Sequence, residues 1–378
     1  MTKKIAILTQ PLHVNFGGTL QNFALQKKIL QMGYEVQTLN YQWKKASDFR
    51  RFFSIIKSRV LFKKVNYPFF DKELKALRIE HTRFISNNIN ISPILYSVDD
   101  LKKYFDENNF DAVIVGSDQV WRVAYSPRIE SFFLDFLNQS NKIKKIAYSA
   151  SFGIDEWQFN SEKTLNIKSL LQKFNAVSVR ENSAVHLCKQ YLDIEVKHTL
   201  DPTLLLETRE YMGLLNSKQD SSKNIGKIFV YILDRDESKE KIINIISQKL
   251  DKKVFYNQPK NKVKDSCFVE NLEDYIYPSI EDWIGSFSAA DFIITDSFHG
   301  TVFSIIFNKP FISIVNKERG ASRFNSFLSQ LNLTSRMVSD IGDINDNLIN
   351  SKIDYNNINN KIIELRGKSL DYLENSLF

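Results

Sequence analysis

The 378-residue sequence predicts an α/β fold in which two parallel-sheet domains face a cleft. Three observations predict it. The length exceeds what one ordinary core fills, so two domains are expected. Apolar residues (43%) and charged residues (25%) stand in the balance of a globular chain, and 29 phenylalanines promise well-filled cores. Short apolar runs alternate with helix-period segments along the whole chain, which is the pattern of βαβ units.

KIAILTQ (4–10) reads as a buried strand, TLQNFALQKKILQMG (19–33) as a helix ending at Gly33, and EVQTLNY (35–41) as a second strand. FDAVIVGSD (110–118), KIAYSAS (145–151) and AVSVRE (176–181) follow, and VKHTLDPTLLL (196–206) closes a Rossmann-like first domain at residues 1–206. The polar stretch 207–225 reads as a linker. A second Rossmann-like domain, 226–350, carries GKIFVYIL, KKVFYN, DFIITD and FISIV, with IEDWIGSFSAA (280–290) as one of its helices. Residues 351–378 have helical period and are expected to pack back on the first domain.

Net charge is +7, which favours anionic partners. Segment 44–65 concentrates it, with eight basic residues, one acid, and Phe49, Phe52, Phe53, Ile56 and Val60 on one helical face. Such a basic amphipathic helix suits either an anionic membrane surface or packing on the core. The basic residues match no nucleic-acid module, so no nucleic-acid partner is expected. The N-terminus runs straight into a strand without a signal peptide, and no run of about 18 apolar residues occurs. The expected location is the cytoplasm, with a place at the inner face of the plasma membrane if 44–65 binds lipid. Cys188 and Cys267 form no CxxC or Cys/His cluster and read as buried free thiols. No clustered carboxylates suggest a metal, and none is expected.

In open parallel sheets, ligands bind beyond the carboxyl ends of strands, where helix N-termini present free N–H groups. The polar residues collect there. The first strand end delivers Asn15, Gly17, Gly18, Thr19 and Asn22; the strand at 112–115 delivers Ser117, Asp118 and Trp121. The strand at 176–179 ends in Arg180 and Glu181. The strand at 292–295 ends in Asp296, Ser297, Phe298, His299, Gly300 and Thr301, and Arg319 and Arg323 follow the next. Gly17-Gly18 suits an anion, a closely approaching sugar or a plain helix start. Arg180 suits a carboxylate or phosphate, or a salt bridge to Glu181. Asp118 and Trp121 suit a sugar site, or a helix cap and core packing. His299 is one of five histidines and reads as an acid/base group or a helix-entry cap.

NFGGTLQNFAL, GSDQVW, YSASFG, SVRENS, DPTLLL and AADFIITDSFHGTVFSIIF, in this order and spacing, resemble the polysaccharide pyruvyl transferase family. The resemblance implies a fold like the GT-B glycosyltransferases. It implies phosphoenolpyruvate as donor, with no further cofactor, and a pyruvate ketal on a sugar of a capsular, exopolysaccharide or cell-wall glycan; a polyprenyl-diphosphate-linked acceptor would suit segment 44–65 as a membrane-facing helix. By position, the family's arginine in S-x-R-E-x-S falls on Arg180, and the histidine of its Arg-Leu-His motif falls on His299. Here that motif reads Ser297-Phe298-His299, so the arginine is missing. Arg319 and Arg323 are the expected substitutes, and Ser297, Gly300 and Thr301 the expected donor neighbours. Asn15, Gly17, Gly18, Thr19, Asn22, Ser117, Asp118 and Trp121 are assigned to the acceptor side.

Two other functions fit the same architecture. One is a nucleotide-sugar glycosyltransferase, for which Asp296 is the obvious acidic candidate. The other is a non-catalytic carbohydrate- or anion-binding relative.

Overall fold

The computed structural model describes residues 2–44, 71–137, 142–215, 221–261, 271–315 and 321–378. Arg319, Cys267 and nearly all of the basic segment 44–65 lie outside them.

Two parallel sheets organise the chain. The first joins β1 (Lys4–Leu8), β2 (Glu35–Tyr41), β3 (Ile91–Leu95), β4 (Ala112–Val115), β5 (Lys144–Ala150), β6 (Ala176–Val179) and β7 (Lys197–His198) in the order β3-β2-β1-β4-β5-β6-β7. The second joins β8 (Ile228–Tyr231), β9 (Val254–Tyr256), β10 (Phe292–Thr295), β11 (Phe311–Ile314) and β12 (Met337–Val338) in the order β12-β11-β10-β8-β9. AVIV, IFVY, FIIT and FISI of β4, β8, β10 and β11 are buried at every position. Continuous apolar runs are what a parallel sheet covered on both faces requires. Strand order reverses between β1 and β4 and between β8 and β10, so a crevice opens beyond the strand ends at each place.

The helices used below are α1 (Phe16–Gln31), α2 (Ile79–Asn88), α3 (Ile280–Ala289), α4 (Phe298–Ile306), α5 (Ala321–Gln330) and α6 (Tyr355–Leu377). Helix α1 begins at Phe16, because the Asn15 side chain accepts from Gly18 N at 3.1 Å and caps it. Its first three turns, Phe16 to Gln26, are buried on all sides, since the helix lies between its own sheet and the second domain.

One aromatic seam joins the domains. Phe16 stacks on Trp283 of α3 at 5.3 Å between ring centroids and meets Tyr231 edge-on at 6.1 Å. His81 of α2 packs edge-on against Phe16 at 4.6 Å, and the Arg83 guanidinium reaches Glu281 at 3.1 Å. Burying a ring of this size stabilises by about 1.5–3 kcal/mol. In the 207–225 stretch, the Thr208–Met212 helix places Tyr211 in the core, where its hydroxyl donates to Thr203 O at 2.8 Å. Helix α6 lies against the first domain. Ser369 Oγ accepts from Leu200 N at 3.0 Å, Tyr372 OH donates to Ala147 O at 2.9 Å, and Leu373 and Leu377 join Ile5, Ile7 and Ile114 in the core. Among the described residues, no helix is long and apolar enough to cross a membrane.

Candidate active site

The crevices of the two sheets merge into one cleft of about 400 Å³. Its first-domain wall includes Asn15, Phe16, Asp118 and Arg122. Its second-domain wall includes Tyr231, Asp296, Ser297, Phe298, His299 and Arg323.

The start of α4 sets the second wall. At the end of β10, Thr295 Oγ1 donates to Tyr231 O at 2.7 Å and ties the two central strands together. Asp296 turns its carboxylate to Leu233 N (2.6 Å), Asp234 N (3.1 Å) and Lys239 Nζ (2.8 Å). Its oxygens are therefore engaged in holding the neighbouring strand end. Ser297 Oγ accepts from Gly300 N at 3.3 Å and caps α4, so the position of the missing arginine serves the helix start. Gly300 is required beside it, because a Cβ there would lie 2.2 Å from Thr295 Oγ1.

His299, the next-to-first residue of α4, crosses the seam. A Cβ on Gly17 would lie 2.1 Å from His299 Nδ1, so only glycine at 17 lets the imidazole settle on the first turn of α1. The other ring nitrogen, Nε2, is buried without a hydrogen-bond partner among the described residues and stands 3.5 Å from Asp201 Oδ2.

Behind the ring lies a buried charge cluster. Arg180 Nη1 donates to Asp201 Oδ2 at 2.7 Å, and Nη2 approaches Asp118 Oδ1 at 3.4 Å. The Phe298 ring covers its guanidinium at 4.8 Å. Burial opposes the charge on Arg180, but Asp201, Asp118 and Glu181 outweigh it and raise its pKa. Burial would likewise raise the Asp201 carboxyl. His299, Arg180 and Thr203 together outweigh burial and hold it well below the usual carboxylate range. Arg323 of α5 brings a second guanidinium to the cleft wall, 5.8 Å from the Phe298 ring. Burial, then the like charge of Arg180, lower its pKa to about 10.

The cleft thus gathers Asn15, Asp118, Ser297, His299 and Arg323 from the expected residues, with Arg180 directly behind them. Several others are placed differently. Trp121 is a core residue, stacked on Phe133 at 5.3 Å with Nε1 donating to Phe132 O, so it offers no face to a sugar. Asn22 bonds Thr38 inside the first domain. Ser117 Oγ donates to Ser149 O, and its N–H goes to Gln21 Oε1. Thr301 Oγ1 pairs with Ser313 Oγ at 2.6 Å beneath α4. Thr19 is buried, and Gly18 sits under Asn15 and Asp118. These residues support the wall from within and do not face the cleft. His198 lies behind Arg180, with Nε2 2.9 Å from Arg180 O. Cys188 is buried, which pushes its thiol up to about 12, with Glu181 adding to the shift.

Sequence reasoning met Asp201 beside His198 and Arg122 at a strand end, but gave neither a role in the site. Asp201 stood in the quoted DPTLLL segment, and a buried Asp before proline was its only signal. Arg122 follows GSDQVW and stacks over Tyr125 at 4.4 Å.

The family description "Polysaccharide pyruvyl transferase" matches residues 15–318. The chain belongs to the polysaccharide pyruvyl transferase family. The matched span includes both cleft walls up to β11. No curated protein matches the chain at a significant level. Among solved structures, the chain is similar to a putative UDP-N-acetylglucosamine 2-epimerase from Listeria monocytogenes. That likeness has 10% identity and a TM-score of 0.51, over 97% of this chain and 91% of that one. It is also similar to Arabidopsis thaliana UGT89C1 complexed with UDP-L-rhamnose. Identity there is 11% and the TM-score 0.50, over 100% of this chain and 98% of that one. At these identities the likenesses show a GT-B-like fold and nothing further. Family membership makes this pyruvyl transferase a transferase of polysaccharide synthesis, with a sugar acceptor.

Proposed function

We propose that this cleft transfers a pyruvyl group from phosphoenolpyruvate to two hydroxyls of one sugar in a bacterial polysaccharide or its lipid-linked precursor. The observation that carries this reading is the position of His299: at the start of α4, seated on Gly17 of the opposite domain, in a cleft that Asp118 and Arg323 also line.

His299 protonates the methylene carbon of the donor, which leaves an oxocarbenium-like centre at the carbon bearing phosphate. A sugar hydroxyl adds to that centre and gives its proton to Asp118. Phosphate then leaves with the C–O bonding electrons, and a second hydroxyl of the same sugar closes the ketal. One proton is taken up, two are released, and the balance departs on phosphate. Phosphoenolpyruvate carries about three negative charges, which preorganised cations and N–H groups are suited to hold. Arg323 and the N–H groups at the start of α4 supply this from the second domain. Arg180 supports from behind, through the Nη2 that makes only a long contact with Asp118.

The test is incubation with phosphoenolpyruvate and a panel of galactosyl, mannosyl and glucosyl acceptors. Mass spectrometry is expected to show a gain of one pyruvate less one water, with one phosphate released per product. His299→Ala is expected to abolish both. Transfer from a uridine or guanosine diphosphate sugar, with no use of phosphoenolpyruvate, would overturn the reading in favour of a glycosyltransferase.

A further inference from the structure

The buried carboxylate of Asp201 belongs to the first domain, yet it is the nearest acid to a histidine of the second. Its two oxygens have different duties. Oδ1 accepts from Thr203 N at 3.0 Å and Thr203 Oγ1 at 2.7 Å, which fixes the plane of the group. Oδ2 accepts from Arg180 Nη1 at 2.7 Å, keeps a further lone pair, and stands 3.5 Å from His299 Nε2. Among the described residues, Nε2 has no other partner, although it is buried. A buried ring nitrogen left unpaired costs free energy, and a charge-assisted bond relieves it. Catalytic hydrogen bonds are often long in the free enzyme and tighten when substrate binds.

We propose that Asp201 is the positioning residue of His299, accepting Nε2–H across the domain seam so that Nδ1 is the nitrogen that exchanges protons in the cleft. This rests on the reading of His299 as the acid. It adds that the acid is complete only when the domains are closed, because Asp201 and His299 sit on opposite sides of the seam. The other charges facing the pair are Arg180 and Arg323, both cationic, and the carboxylates Asp118 and Glu181. Glu181 Oε1 is already committed to Ser151 Oγ at 2.8 Å and Phe152 N at 3.0 Å. Asp118 approaches Arg180. Asp201 is thus the acid whose charge His299 meets directly.

The decisive variant is Asp201→Asn, which keeps an oxygen for Thr203 and removes the charge. Nitrogen-15 NMR of the His299 ring, assigned by its absence in His299→Gln, needs no substrate. The wild-type ring is expected to show the Nε2–H tautomer. In Asp201→Asn the ring is expected to move toward the Nδ1–H tautomer, since an amide N–H can donate to Nε2 where the carboxylate accepted from it. Turnover should fall by up to about 10⁴-fold, the loss known when the orienting aspartate of a catalytic triad becomes asparagine, with KM for phosphoenolpyruvate nearly unchanged. An Nδ1–H tautomer in the wild type overturns the proposal, and that spectrum suffices if Asp201→Asn does not fold. A ring tautomer identical in both proteins overturns it as well. The Nε2–H tautomer with the expected change in the variant, but no pyruvyl transfer to any acceptor, would leave the positioning role intact and defeat only the functional reading.

Discussion

Gly17 shows how much one missing methyl group decides. In the sequence it stood in a Gly-Gly pair ahead of a helix and suited an anion or sugar. In the structure the space beside its Cα is filled by the His299 ring. Gly17→Ala would place a carbon 2.1 Å from Nδ1, so the imidazole must turn away from its seat. A displacement of about 1 Å at a reacting group costs on the order of 10²-fold. Gly17→Ala is therefore expected to lower turnover by about that factor while far-ultraviolet circular dichroism stays unchanged, as steady-state phosphate release would measure. His299 itself was legible as an odd histidine at a strand-to-helix junction. Its partners Asp201 and Gly17 lie too far along the chain for any local pattern to reveal them.

In the proposed reaction, the start of α4 is the element on which donor recognition turns. Where the family motif carries arginine, Ser297 caps the helix through its hydroxyl. The cationic charge comes from α5, where Arg323 reaches the cleft past the edge of Phe298. A helix one strand further on thus supplies what the cap position cannot, because a residue holding Gly300 N–H cannot also extend a guanidinium into the cleft. Arg323→Gln is expected to raise KM for phosphoenolpyruvate about tenfold or more, since a charge-assisted hydrogen bond contributes ~1.5–3 kcal/mol. KM for the sugar should move far less, and kinetics with each substrate varied in turn would show the difference. The strands were legible almost in full, since parallel strands buried on both faces read as unbroken apolar runs. Segment 44–65, the other element singled out for function, lies almost entirely outside the described residues.

For the whole molecule, the aromatic seam makes domain closure and stability one property. His81 lies in it, buried against Phe16 and Tyr277, with neither ring nitrogen hydrogen-bonded among the described residues. Burial lowers its imidazole from 6.5 to about 4. The unfolded chain therefore takes a proton near pH 6.5, and the folded chain only near pH 4. Stability is complete above 6.5, falls as pH drops through the interval, and levels off below it. The loss totals on the order of 3 kcal/mol. Urea unfolding between pH 7 and pH 4 should include this slope together with that of His13, which burial also lowers to about 4, and His81→Phe should make it shallower by the His81 share. A cleft walled by both domains, with the proposed acid on one and its partner carboxylate on the other, would tie activity to the same closure.

The sequence by itself determined the two sheets, the crevice beyond the strand ends, and the family. The first two follow from local physics: apolar periodicity, and polar residues where strands stop. The first helix, expected over 19–33, begins at Phe16, because the Asn15 cap is a side-chain bond that apolar periodicity does not report. Only the tertiary structure decided which of those polar residues face the cleft. Trp121, Asn22, Ser117 and Thr301 looked like ligand contacts, yet they satisfy buried groups behind the wall. In composition, a side chain that saturates a loop is indistinguishable from one that meets a substrate. Only closure of the domains set His299 on Gly17 and brought Asp201 beside it, because contacts between distant segments leave no periodic trace in either one.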